Sequence, residues 1–130
     1  MNIRNLFTLV AFICLLFGLG LIFTPQLMAD LYLTDPTWLN PAAKLLAQGW
    51  GAMLLAEGTA CWLLRNDGLS AGSRAMLWLL ITSNVGFLLL HLNAIINGVE
   101  GPTAWLQILM AVIVGGWAAL LVRQSTSVVA

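Results

Sequence analysis

Residues 6–23 read LFTLVAFICLLFGLGLIF, an apolar run without one charged side chain. At about 1.5 Å per residue, a helix of this length approaches the ~30 Å thickness of bilayer hydrocarbon. Three comparable runs follow at 42–64, 75–96 and 103–122. Only a helix satisfies every backbone N–H and C=O inside such a segment, so each run is predicted to be a transmembrane helix. The expected fold class is all-α, an integral membrane four-helix bundle forming one transmembrane domain over 1–130. Arg4 before the first run and Ala29 after it imitate a signal peptide. A signal core is about 7–15 residues long, however, and this run exceeds it. An uncleaved first helix is expected.

Composition supports the same class. The chain has 130 residues, 61% hydrophobic and 8% charged, whereas a soluble domain carries about 25% charged residues. A water-soluble monomer is excluded. Five basic and five acidic residues cancel, which leaves no electrostatic footprint for nucleic acid. Cys14 and Cys61 both fall inside apolar runs, with no C-x-x-C and no Cys/His cluster. Thiol redox chemistry needs paired, accessible thiols, so these cysteines read as small buried hydrophobes. Neither a metal nor a cofactor is expected.

The ends of the runs are punctuated. Pro25 stops the first helix because it cannot continue the hydrogen-bond ladder. Asn40-Pro41 reads as an N-cap followed by proline at the first helical position. Asn66-Asp67-Gly68 is a turn, with Ser70 or Ser73 available to cap the third helix. Asn97-Gly98 offers a left-handed stop, and Gly101-Pro102 opens the fourth helix. Arg4, Arg65, Arg74 and Arg123 then fall on one side, and only Lys44 on the other. The positive-inside rule predicts both termini in the cytoplasm of a bacterial inner membrane. Trp38 and Trp105 mark the outer boundary and Trp62 and Trp78 the inner one, as an aromatic belt.

Residues 25–40 form the longest connection. Leu27, Met28, Leu31 and Tyr32 recur at helical spacing between Gln26 and Asp30. A short amphipathic helix on the external surface is expected, with a lid over an outward-facing cavity as its functional counterpart.

In such a protein, function should lie in polar residues at membrane depth. Measured from the inner arginines, Glu57 lies about 12 Å deep and Asn84 about 15 Å, while Gln48, His91 and Gln107 lie near 25 Å. Asn84 and His91 share a face of the third helix, being seven residues apart, whereas Gln48 and Glu57, nine apart, point to nearly opposite faces. One of the latter pair is therefore expected to leave the bundle interior. Glu57 is the costliest residue: a carboxylate at mid-bilayer costs several kcal/mol. It reads as a proton- or cation-coupled site, or as a protonated, amide-paired glutamate with Asn84 its partner. His91 is expected to hydrogen-bond Gln107 or Gln48.

Gly49, Ala52, Ala56 and Ala60 form a small-residue stripe on the second helix, with Gly51 and Gly58 opposite. Such stripes permit close helix approach, so this helix is predicted to be the hub, received by Gly18 among others. Phe17-Gly18-Leu19-Gly20, Phe23-x-Pro25 and the Gly49-to-Gly58 helix ending in Trp62-Leu63-Leu64-Arg65 together resemble small bacterial four-helix inner-membrane families, DoxX-like in outline. That resemblance implies an architecture and supplies no catalytic residues. Small multidrug transporters share the size, but their functional glutamate sits in the first helix, which here has no carboxylate.

No Ser/His/Asp or metal-ligand set is visible, so an enzyme is not expected. The leading expectation is a non-catalytic membrane protein, an accessory, assembly or scaffolding subunit of a homo-oligomer or larger membrane complex. The alternatives are a small homo-oligomeric transporter or channel using Glu57 and Asn84, or a binding protein or enzyme for a lipidic ligand such as a quinone or sterol. In that last case His91, Gln48 and Gln107 would stand at the outer mouth.

Overall fold

The computed structural model describes residues 2–126. They form five α-helices: α1 (Ile3–Phe23), α2 (Pro25–Tyr32), α3 (Pro41–Leu64), α4 (Ala71–Ile96) and α5 (Ala104–Thr126), with a 3-10 turn at Pro36–Trp38. Three of them, α1, α4 and α5, are long and apolar enough to cross a membrane. At 24 residues α3 has the length, but Lys44, Gln48 and Glu57 dilute its apolar character.

Side-chain caps set the helix starts. Asn40 Oδ1 accepts from the Ala43 amide at 2.9 Å, with Pro41 at the first helical position. Ser70 Oγ accepts from the Ser73 amide at 3.1 Å, and Asn2 Oδ1 from the Arg4 amide at 2.9 Å. Each satisfies an N–H that the helix itself leaves unpaired. Two turns use left-handed glycines, Gly68 at φ 60° and Gly98 at φ 69°, a conformation that costs other residues far more.

The helices pack as two antiparallel pairs, α1 along α3 and α4 along α5, and the pairs meet each other more sparsely. The α1–α3 seam is made by Gly18, Gly51 and Gly58. A Cβ built on Gly51 would sit 2.7 Å from the Gly18 carbonyl oxygen, and one on Gly58 would sit 2.8 Å from Cys14 Cβ. This corrects the expected packing stripe. Gly49 has nothing within 4 Å of its missing Cβ, and Ala52 and Ala56 are exposed. Only Ala60 of that stripe packs against the core. Helical periodicity finds both small faces of α3, but it does not say which one meets α1. Nor is α3 the hub, since its contact with α4 is slight.

The two ends of the bundle differ. One end carries Arg4, Arg65, Arg74 and Arg123 and is called the arginine end. There Leu6, Phe7, Cys61, Leu77 and Ala118 are fully buried in a continuous apolar core drawn from α1, α3, α4 and α5. At the other, capped end, the 24–40 connection is tied to the α4–α5 loop. Leu33 and Glu100 form an antiparallel bridge. The Thr34 amide donates to Val99 O at 3.0 Å and the Gly101 amide to Tyr32 O at 2.8 Å. Thr34 Oγ1 donates to Gly98 O at 2.6 Å, and Thr103 Oγ1 donates to Leu31 O. Large apolar side chains such as Leu16, Leu46, Met53 and Leu63 are at least 70% exposed on the flanks, the surface expected of a protein solvated by lipid.

Candidate functional site

Beneath the capped end the bundle is hollow. A cavity of about 220 Å³ lies under α2, roofed by Pro25, Met28, Ala29 and Tyr32 and floored by Leu54, Phe87 and Gln107. The buried positions of α2 are Pro25 and Ala29, with Met28 and Tyr32 half-buried, while Leu27, Leu31, Gln26 and Asp30 point outward. The helix is thus amphipathic as expected, but rotated so that Leu27 and Leu31 leave the bundle. Phe17 and Tyr32 rings, 6.2 Å apart, hold the roof against α1.

His91 and Glu100 stand at the side of this cavity. His91 Nδ1 lies 2.7 Å and 2.9 Å from the two Glu100 carboxylate oxygens. Both side chains are nearly buried, at 12% and 14% exposure, and Nε2 is buried without a partner among the described residues. The imidazole stacks on Phe87 at 5.8 Å with the planes 10° apart, and Phe87 in turn contacts Trp50 at 5.2 Å. The expected partners of His91, Gln107 and Gln48, are replaced by Glu100. Nothing in the sequence pattern pairs Glu100 with His91. The loop's return beside Leu33 is what carries the carboxylate inward.

Gln48 has a different task. Its Nε2 donates to Ile22 O at 3.0 Å, one of the last-turn carbonyls that α1 cannot pair internally. Gln48 and Glu57 lie on opposite faces of α3, yet neither leaves the chain: one faces α1 and the other a second cavity.

That second cavity, about 110 Å³, lies nearer mid-bundle between the two helix pairs. Glu57, Cys14, Ser83, Asn84 and Gln107 line it among apolar side chains. Glu57 and Asn84 share this space without bonding each other. Asn84 Nδ2 instead donates to Leu80 O at 2.7 Å, within its own helix. Gly115 makes room for it, since a Cβ there would meet Asn84 Cβ at 3.1 Å. Among the described residues the Glu57 carboxyl makes no hydrogen bond and no ion pair. Leu54, Phe87 and Gln107 line both cavities, so the two are separated only by this partition.

Among the described residues, no three His, Cys, Asp or Glu side chains converge as a metal site. Comparison with protein-family models, with curated proteins and with solved structures gives no match.

Proposed function

We propose that this chain is a non-catalytic membrane protein that binds an apolar, lipid-like ligand under its α2 roof. The observation that carries this reading is the 220 Å³ cavity beneath the external segment. It is mostly apolar, aromatic-walled through Trp50 and Phe87, and provided with a few polar groups at His91, Glu100 and Gln107. Small-molecule sites have this composition, apolar walls with a few polar groups that fix orientation. In this reading α3 is the fourth span, since it runs the length of α1 with Glu57 turned into the bundle and Gln48 onto α1. The arginine end faces the cytoplasm of a bacterial inner membrane, with the roof outside. A cysteine at Thr37 or Asn97 should then react with an impermeant reagent from outside; reaction only after the inner side is opened would reverse the topology.

The ligand reading is tested by native mass spectrometry and lipid extraction of protein purified in mild detergent. Wild type should retain an apolar molecule, and Ala47→Trp, which fills the cavity, should lose it while melting normally. An identical complement of bound molecules in both would overturn it.

A second reading is favoured by Gly49, Ala52 and Ala56, which present a smooth exposed face. A second copy or another membrane subunit fits such a face closely, and the chain would then act as an accessory or scaffolding subunit. Gly49→Leu meets nothing inside the chain, so a loss of oligomer with unchanged monomer stability would support this role.

A further inference from the structure

The two cavities between the helix pairs, the partition separating them and the apolar core toward the arginine end together imply a one-sided route. Glu57 lies at its blind end. Below it, Leu6, Phe7, Leu77 and Leu80 close the bundle with apolar side chains, and the polar groups buried in that half, the Cys61 thiol, Ser73 and Trp117 Nε1, are single groups set in this apolar core. Above it, polar groups recur at each level: Ser83 and Asn84 beside Glu57, Gln107 in the partition, then His91 and Glu100 under the roof. At about 30 Å³ of liquid volume per molecule, the lower cavity of about 110 Å³ has room for roughly three to four waters. A buried water needs two to four polar partners. Glu57, the free Oδ1 of Asn84 and the Gln107 amide supply them.

We propose that Glu57 is a proton-binding site in equilibrium with the capped face alone, reached through Gln107 from the His91–Glu100 level. The exchange is one proton added to or lost from the Glu57 carboxylate, with water in the cavity as carrier and no other bond changed. The titratable neighbours are few. Cys14 faces Glu57 from α1 and Cys61 flanks it on α3. From α4 and α5 the cavity receives Ser83, Asn84 and Gln107, which carry no charge. Among the described residues no cation lines this cavity, so protonation is the means of neutralising the carboxylate in hydrocarbon. This inference does not rest on the lipid-ligand reading, although its route crosses the upper cavity that the ligand would occupy.

Dicyclohexylcarbodiimide, an apolar reagent that attacks protonated carboxyls, tests it. The full chain is reconstituted in vesicles of neutral phospholipid, and orientation is scored through a Thr37→Cys tag. Labelling of Glu57, read by peptide mass mapping, should fall several-fold when the pH on the capped face is made alkaline. It should not change when only the opposite pH is raised. Gln107→Leu removes the polar step in the partition and should slow that response several-fold while the melting temperature holds. Glu57→Gln should remove the labelled peptide. Labelling that follows the pH at the arginine end, that ignores both, or that responds equally fast in a folded Gln107→Leu protein would overturn the proposal.

Discussion

A Cβ on Gly51 or Gly58 would lie under 3.0 Å from α1, against the Gly18 carbonyl oxygen in one case and Cys14 Cβ in the other. Neither neighbour is a flexible side-chain end, so one helix would have to move. Gly51→Ala and Gly58→Ala are each expected to cost about 1–3 kcal/mol, the usual range for overpacking. Gly49→Ala meets open space and removes a helix-weakening glycine, so it should stabilise by about 0.5–1 kcal/mol. Thermal unfolding in detergent measures all three, and a Gly49 variant less stable than Gly51→Ala would contradict the assigned seam. At His91, Glu100→Leu strips the one hydrogen bond the ring makes. With Nε2 already unpartnered, the loss should cost about 1–3 kcal/mol. What the sequence showed at this scale was residue type and depth. Glu57 and Asn84 were recognised as sharing a level, and they do line one cavity. What it hid was choice of partner. Asn84 turns to Leu80 O and Gln48 to Ile22 O, because backbone carbonyls are present at every depth and leave no mark in composition.

At the scale of elements, the long helices were legible to within about four residues at each end, since their signals are local. The runs expected at 42–64 and 75–96 lie inside α3 and α4, and the Asn40 and Ser70 caps fall where their side-chain chemistry puts them. The 24–40 connection was legible only in part. Its bridge to residues 98–101 joins positions more than sixty apart, and no periodicity records such a pairing. This segment also carries a pH dependence. Asp35 accepts from the Thr37 hydroxyl at 2.6 Å and from the Thr37 amide at 2.9 Å, and these bonds hold its carboxyl below the ordinary aspartate range. A carboxyl whose folded-state value is depressed contributes stability above its unfolded value. It loses that contribution as pH falls through the folded one. The Pro36–Trp38 turn should therefore hold at neutral pH and loosen below about pH 4. Hydrogen exchange of the Thr37–Asn40 amides reports this, and Asp35→Asn should make the exchange pattern insensitive to pH over the same interval. A wild-type pattern that tightens on acidification would contradict the assignment.

Between the two helix pairs the molecule is closed toward the arginine end and open toward the capped end, and composition alone does not distinguish the two; a further cavity of about 360 Å³ in the arginine half is lined by α1 and α3 alone, through Ala11, Phe12, Gly58 and Trp62 among others. Both halves are built from the same apolar helices. The closed end follows from the glycine seam: Gly58 brings α3 onto Cys14 and Ala11, and Leu6, Phe7, Leu77 and Ala118 close behind them with no exposed surface. Toward the capped end the pairs α1–α3 and α4–α5 do not close on each other. Phe87, Trp50 and the α2 roof enclose the space instead. One substitution type should therefore have opposite effects at the two ends. Ala118→Leu adds three carbons where nothing can yield, and is expected to cost about 1–3 kcal/mol. Ala47→Leu adds the same three carbons to the wall of a 220 Å³ cavity. There it gains apolar contact at about 0.8 kcal/mol per buried CH₂, so stability should hold or rise. Paired melting curves in one detergent decide the matter, and equal destabilisation by both substitutions would mean that the capped half is as tightly packed as the arginine half. If Ala47→Leu instead raises the melting temperature while reducing bound lipid, the void is one that the protein keeps at a cost in stability. Evolution leaves such space where function requires it.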